Sequence, residues 1–395
     1  MDSIAARIQH FRQRADRLQA ENIYVYQQPV EAIDGAYVSV HGRRMLMLAS
    51  YSYLGLIGHP EIIQAAQVAA QKYGTGTHGV RLLAGTLDLH CELEQTIARF
   101  KQTEDAIVFS SGYVTNLAVI TTLLDRHDVV ICDKLDHASI IDGCQLSGAK
   151  LLRFKHNDPH DLERRLQSAT DHTKLVIVDA VFSMDGDIAP LPEISKLCKR
   201  YSAWLMVDEA HSIGLLGQTG HGLEEHFNLP PDTIDIKMGT LSKAIPSVGG
   251  YIAGSSDLVN LLKHAARAYI FSAALPPAQT AAAKCAIEVI EREPDRAQRV
   301  QANGKLLRDG LKSLGFDTLQ SCTAIVPAIM RNEDRAMRMA ALCQQRGYFV
   351  LPVIAPAVPP DLSRLRITVT AAHTSSDIEQ ALDVFKQTGK ELGVI

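Results

Sequence analysis

Between residues 60 and 275, short apolar runs alternate with stretches of helical spacing. Seven of these runs read as strands, at 106–109, 129–132, 150–154, 175–179, 204–207, 234–238 and 248–253. They are four to six residues long and rich in Val, Ile and Leu, and nearly continuous apolar character marks strands covered on both faces. Helical patterns over 61–72, 89–100, 162–169 and 191–201 lie before or between them. Strands separated by helices predict an α/β fold with a central, mostly parallel seven-stranded sheet. At the N-terminus, Ile4, Ile8, Phe11 and Leu18 recur among Arg, Gln and Glu and predict an amphipathic helix over 2–21, followed by β-like stretches at 36–40 and 45–48. After Pro276-Pro277 the texture changes. A helix over 277–291 leads to an α+β segment with strands expected at 324–330, 349–354 and 365–370. The expected organisation is an N-terminal arm (1–49), a large α/β domain (50–275) and a smaller C-terminal domain (276–395). There are no internal repeats and no low-complexity tracts.

Composition narrows the class. Of 395 residues, 46% are apolar and 21% charged, which excludes a disordered, collagen-like or coiled-coil chain. Forty basic against 44 acidic side chains give a net charge of −4, so neither nucleic acid nor an anionic membrane is an expected partner. Seven cysteines without a C-x-x-C pair argue against a disulfide framework or a zinc site, and they fit a reducing cytoplasm. The longest uncharged run, 106–124, holds Ser110, Ser111, Gly112, Thr115 and Asn116 in its middle, so it reads as strand, turn and helix start, not a membrane span. The chain is charged from Asp2 onward and shows no secretion signal.

Five motifs carry candidate chemistry: Ser110-Ser111-Gly112-Tyr113, Asp136-His137-Ala138-Ser139, Val181-Phe182-Ser183-Met184-Asp185-Gly186-Asp187, Val207-Asp208-Glu209-Ala210-His211 and Gly239-Thr240-Leu241-Ser242-Lys243-Ala244. Each alone has a plain reading: a tight turn, a satisfied histidine, a polar loop, an acid capping the next helix, a surface lysine. The Asp-Glu-Ala-His string matches the acidic box of an ATP-driven motor, but such a motor needs a G-x-x-x-x-G-K-[ST] loop and the chain has none. All five follow an expected strand, and in an open parallel sheet that gathers them at one edge. A small-residue turn into a helix suits a phosphate. Together with a histidine, an aspartate and a confined lysine, it suggests a pyridoxal phosphate site.

In this order, and followed by the stretch 364–374, which begins Arg364-Leu365-Arg366 and ends Ala372-His373-Thr374, the motifs resemble the α-oxoamine synthases, pyridoxal-phosphate enzymes of the fold-type-I aminotransferase superfamily. The resemblance runs from about residue 25 to 385. It implies that Lys243 carries the cofactor covalently and acts as base, and that Asp208 pairs with the pyridine nitrogen. It implies that His211 and Ser183 serve the ring hydroxyl and that His137 stacks on the ring and faces the substrate. Gly112, Tyr113 and Thr240 would hold the phosphate, Ser272 would reach a phosphate across a homodimer interface, and Arg366 would clamp the amino-acid carboxylate. The activity so implied is a decarboxylative Claisen condensation of a small amino acid with an acyl thioester, carried on coenzyme A or on a carrier protein, giving a 2-amino ketone and carbon dioxide. Within the family, phrases such as Arg153-Phe154-Lys155-His156-Asn157-Asp158 resemble 8-amino-7-oxononanoate synthases, and other strings resemble oxoamine synthases of secondary-metabolite pathways. The alternatives are a reaction like that of serine palmitoyltransferase, with serine and a long-chain acyl-CoA, or an aminotransferase or aldolase of the same fold. Tyr51 and Pro246 depart from residues common in relatives, and His78 lies in a glycine-rich stretch expected near a partner protomer. A binding protein that had lost its chemistry would not need Lys243, Asp208 and His137 together.

Overall fold

A computed structural model describes residues 3–169 and 172–395. Met1 and Asp2, at the head of the expected arm and helix, and residues 170–171 lie outside the described residues.

Each of the seven apolar runs is a strand of one seven-stranded sheet. The strands lie in the order Asp105–Phe109, Pro246–Gly254, Ile236–Ser242, Trp204–Asp208, Lys174–Asp179, Val129–Asp133, Lys150–Phe154. All are parallel except Pro246–Gly254, which runs antiparallel to both neighbours. Lys174–Asp179 and Val129–Asp133 are buried along their whole length. Lys150–Phe154, at the sheet edge, exposes Lys150 and Arg153, the charged edge that discourages further pairing. One consequence bears on function. Three neighbouring parallel strands each end in an aspartate: Asp133, Asp179 and Asp208. Their carboxylates therefore crowd the carboxyl edge of the sheet, where open α/β sheets build their sites.

The chain forms two compact units. The larger comprises residues 51–183 and 187–301 and contains the seven-stranded sheet; the smaller comprises 1–50, 184–186 and 302–395. Residues 276–301 group with the larger unit, because the helix Pro277–Arg292 packs on Pro60–Tyr73 and Asp88–Lys101, with Ala281 against Ala69 and Leu89. In the smaller unit, Ala32–Asp34, Tyr37–Val40, Arg43–Met47 and Tyr348–Phe349 form one sheet, and Ile325–Ile329, Arg364–Thr368 and Leu351–Val353 form another. The single strand expected over 349–354 is thus two. The chain leaves the first sheet after Phe349 and joins the second at Leu351, with buried Val350 between them. The N-terminal helix is Ile4–Ala20, capped by the Ser3 side chain.

Candidate active site

The cluster at the carboxyl edge of the large sheet starts from Lys243. It follows the strand Ile236–Ser242, in the turn before the chain reverses into Pro246–Gly254. Its Nζ lies 2.8 Å from His211 Nε2, and His211 Nδ1 lies 2.6 Å from the Tyr53 hydroxyl. Tyr53 is fully buried and His211 nearly so, so the Lys243–His211–Tyr53 chain is held by packing at its far end. Tyr51 also faces this chain. Its half-exposed ring centre lies 5.9 Å from both the His211 ring and Lys243 Nζ.

Asp208 ends the strand Trp204–Asp208 and is buried. Its Oδ1 accepts the Ala210 N–H at 2.9 Å and its Oδ2 accepts Asn116 Nδ2 at 2.8 Å. Both bonds fix the direction of the carboxylate without neutralising it. Asn116 Nδ2 also donates to Ser139 Oγ at 2.9 Å, and Ser139 Oγ lies 2.7 Å from His137 Nδ1, which in addition accepts the Ser139 N–H. Because Ser139 Oγ accepts from Asn116, its own proton goes to His137 Nδ1. Neutral His137 then carries its proton on Nε2. One asparagine thereby orients both the aspartate and, through a serine, the histidine.

His137 is placed by its backbone as well. It caps the helix Ala138–Ser147, and its N–H donates to Asp179 Oδ2 at 3.0 Å. Crowding by protein holds the His137 pKa below the usual imidazole value; the Asp208 carboxylate opposes this and the Lys243 cation adds to it. Those two influences mark Asp208 and Lys243 as neighbours of one ring. Asp179, whose register partner is Asp208, has its carboxyl pushed well above the ordinary range by burial and then by the Asp208 charge.

The phosphate-cradle candidates converge nearby. Ser111 caps the helix Gly112–Leu123 and accepts the Val114 N–H. Gly112 and Tyr113 occupy the first turn, where N–H groups have no partner within the helix and the dipole favours an anion. A Cβ at Gly112 would sit 3.0 Å from Thr240 Oγ1, and one at Gly250 would sit 2.7 Å from Gly112 Cα. The glycines thus let the helix start approach the Thr240 strand and its antiparallel neighbour closely. Tyr113 bonds Asp142 through its hydroxyl and meets the His137 ring edge-on, with centres 6.2 Å apart. Ser183 is half-buried just past the Lys174–Asp179 strand. Ser272 lines a narrow cleft with Ser110 and Arg81.

Within the larger unit, then, Lys243, His211, Asp208, His137, Gly112, Tyr113 and Thr240 come together. Arg366 belongs to the smaller unit, buried in the strand Arg364–Thr368 between Ile325–Ile329 and Leu351–Val353. Its neighbour Arg364 is committed to the loop 184–186, where it binds the Met184 carbonyl and the Asp185 carboxylate. Three orienting residues, Asn116, Tyr53 and Asp179, were not singled out from the sequence. The one signal in the sequence, for Asn116 alone, is the polar pair Thr115-Asn116 near the start of the apolar stretch 114–124.

The donor set fits pyridoxal phosphate. It offers an amine, a buried carboxylate, two imidazoles and a helix start cleared by glycine, and Asn116 Oδ1 remains buried without a hydrogen-bond partner among them.

Residues 43–385 match the family described as aminotransferase class I and II. An 8-amino-7-oxononanoate synthase from Thermoanaerobacter pseudethanolicus is 43% identical over 97% of this chain and 98% of its own. A serine palmitoyltransferase from Sphingobacterium spiritivorum is 41% identical over 97% of each. Among solved structures, a serine palmitoyltransferase from S. paucimobilis with bound PLP–myriocin aldimine matches with a TM-score of 0.96 and 34% identity over 100% of both chains.

Proposed function

The chain belongs to the aminotransferase class I and II family and, within it, to the pyridoxal-phosphate-dependent α-oxoamine synthases, and from that premise we propose that it joins a small amino acid to an acyl thioester, releasing the thiol and carbon dioxide and leaving a 2-amino ketone. The observation that carries this reading is the convergence of Lys243, Asp208 and His137, with His211 at 2.8 Å from the lysine.

When bound, the cofactor supplies an electron sink for negative charge at the amino acid's α-carbon. Lys243, Asp208, His137, His211, Ser183, Gly112, Tyr113 and Thr240 would hold it, with Ser272 reaching its phosphate from a second copy of the chain. Asp208, a buried and directed carboxylate, keeps a proton on the base that faces it by opposite-charge attraction. Lys243 Nζ takes the substrate's α-proton, and His211 Nε2 is in reach to share it. Tyr53 holds His211 in place through Nδ1. His137, neutral at pH 7 and protonated on Nε2, offers a flat imidazole face and one donor. Arg366 presents a planar fork suited to the two oxygens of the amino-acid carboxylate.

The name 8-amino-7-oxononanoate describes an amino group next to a ketone on a nine-carbon acid. That product is what alanine and a seven-carbon dicarboxylic acyl group would give after loss of one carboxylate. It is our first reading for this chain, on the 43% identity. The second reading, serine with a long-chain acyl group, is favoured by the full-length structural match to serine palmitoyltransferase. Assembly as a homodimer also belongs to the proposal. An isolated bridge between Val80 and Ala273 brings together the segments bearing Leu83 and Phe271, whose side chains are 82% and 73% exposed, an apolar patch that a second copy would cover. Among the described residues no helix is long and apolar enough to cross a membrane.

The test is a matrix of glycine, alanine and serine against thioesters of six to eighteen carbons, with and without a terminal carboxylate, and products identified by mass. A 2-amino ketone from one pair supports the proposal and selects the member. A 2-oxo acid as the only product overturns it.

A further inference from the structure

Asp208 and His211 both belong to the site. Glu209, between them in the chain, has no part in the reaction, yet its side chain is fully buried. A carboxylate out of reach of water persists only where several groups satisfy it. Lys101, itself buried at the end of the helix Asp88–Lys101, places its Nζ 2.6 Å from Glu209 Oε2. Glu209 Oε1 accepts the Leu223 N–H at 2.9 Å and lies 3.3 Å from the Ser212 hydroxyl. The Lys101 ammonium also donates to the His221 carbonyl at 2.5 Å. A second buried ion pair backs the first. Lys237 Nζ lies 2.6 Å from Glu224 Oε2 and donates to the Lys101 carbonyl at 3.0 Å, while Glu224 Oε1 accepts the Ile234 N–H at 3.0 Å. Two acids and two ammonium groups thus balance one another's charge inside the larger unit.

The backbone of Glu209 is fixed as firmly as its side chain. Its N–H donates to the Met238 carbonyl at 2.8 Å, which docks it on the strand Ile236–Ser242 that leads to Lys243. Its carbonyl accepts the Ser212 N–H at 3.0 Å and the Ile213 N–H at 3.2 Å, so the turn that contains His211 closes on Glu209. The chain then folds back, with the Gly214 N–H on the Gly220 carbonyl at 2.8 Å, and returns to the Glu209 carboxylate at Leu223. A Cβ at Gly222, where φ is +106°, would sit 2.2 Å from Glu209 Oε1, so the return passes only as glycine. His211 is therefore held from two directions. Tyr53 holds its ring at 2.6 Å, and the turn pinned by Glu209 holds its backbone.

We propose that Glu209, paired with Lys101, is a positioning residue that pins the turn 209–213 and so keeps His211 Nε2 within hydrogen-bond reach of Lys243. The inference rests on the reading of Lys243 and His211 as working members of the site. Its physical basis is a count of acceptors. The Leu223 N–H and the Lys101 ammonium each need one, and a carboxylate offers an oxygen to both together with the charge that the ammonium requires. A glutamine has a single acceptor oxygen. In Glu209→Gln either the tie to Leu223 is lost or the buried ammonium faces an amide NH2, and the turn shifts in both cases.

A double-mutant cycle on the full-length, cofactor-loaded enzyme separates positioning from plain stability. Exchange of the amino acid's α-proton for deuterium is measured in wild type, Glu209→Gln, His211→Gln and the double variant. We expect Glu209→Gln to slow exchange about tenfold when His211 is present and less than about twofold in the His211→Gln background. The same factor in both backgrounds, or no slowing in the first, overturns the proposal, because a merely structural pair has no reason to act through one histidine. A second readout needs no cofactor. In ¹⁵N-histidine NMR of the cofactor-free enzyme, the His211 ring signals are assigned by their loss in His211→Gln. They should be displaced in Glu209→Gln, while those of the exposed His10 and His160 stay in place; unmoved His211 signals also overturn the proposal. Should Glu209→Gln fail to fold, Glu209→Asp, which keeps the charge and shortens the reach by one methylene, enters the same cycle with the same expected sign. His211→Gln alone judges the underlying reading. Exchange at the wild-type rate there removes His211 from the reaction, whatever the NMR of Glu209→Gln shows.

Discussion

Replacing Asp208 with asparagine alters the charge of the site with little change in its shape, and the structure says what else must move. The substituted amide can still accept the Ala210 N–H with its oxygen. Its NH2 group then faces Asn116 Nδ2, donor against donor, where the carboxylate accepts at 2.8 Å. Turning the Asn116 amide resolves the clash, because Asn116 Oδ1 is buried without a partner and can accept the new N–H. Ser139 must then donate to its other neighbours differently, and His137 loses part of its orientation. We expect a folding cost of about 1 kcal/mol, the scale of one hydrogen bond exchanged for a weaker one. The catalytic cost is larger. Without a fixed negative charge the proton on the facing base is no longer favoured, and proton removal from the substrate should slow on the order of 100-fold, about 2.7 kcal/mol. Asp179 limits the loss. Its carboxyl is held well above the ordinary range by burial and then by the Asp208 charge, so removing that charge lets Asp179 ionise more easily, one strand away. The double variant Asp208→Asn/Asp179→Asn should therefore be slower than Asp208→Asn alone. The assay is exchange of the amino acid's α-proton for deuterium, followed by NMR without thioester, with thermal melts reporting the folding cost. Exchange at the wild-type rate in Asp208→Asn would refute the reasoning.

Three further outcomes follow from the same geometry. Lys243→Ala should still bind cofactor, without the covalent link, and lose essentially all turnover, since anchor and base vanish together; normal turnover would remove Lys243 from the site. Arg366→Lys keeps the charge but not the fork, so spectral titration with amino acid should show affinity weakened about tenfold (about 1.4 kcal/mol), with cofactor affinity unchanged; equal constants would take Arg366 out of substrate binding. The pH dependence of stability should carry the mark of His156. Burial lowers its pKa, but bonds to Asp133 at 3.0 Å and Asp187 at 2.7 Å outweigh that and raise it to about 10. A folded value above the unfolded one means that this stabilisation is complete below about pH 6.5 and lost as pH rises through about 10. Melting midpoints of wild type should fall toward those of His156→Gln over that window, and parallel curves would contradict the assignment.

The sheet was legible because its strands are short, apolar and separated by helices, so period and length both point the same way. All seven runs became strands, and the five motifs fell at strand ends because parallel strands in an α/β sheet expose their carboxyl ends on one side. Two kinds of feature were not legible. The split of 349–354 between two sheets depends on which edges are available in three dimensions, and six residues of one β-like pattern do not contain that. Asn116, Tyr53 and Asp179 act on the site through hydrogen bonds that span 23 to 158 residues of sequence, and a lone asparagine in an apolar run looks like any helix residue. The roles of Ser272 and Arg366 came from resemblance, because neither residue type nor spacing distinguishes a substrate clamp from a structural arginine such as Arg364.

The central claim is that carbon–carbon bond formation and loss of the amino acid's carboxylate belong to one reaction at this site. The most direct measurement supplies amino acid labelled with ¹³C in the carboxyl group, together with the acyl thioester that the substrate matrix selects, and follows labelled carbon dioxide and free thiol in the same sample. The account predicts one labelled carbon dioxide for each thiol released, with none from Lys243→Ala. Thiol release without labelled carbon dioxide, or consumption of amino acid without thiol release, would contradict it.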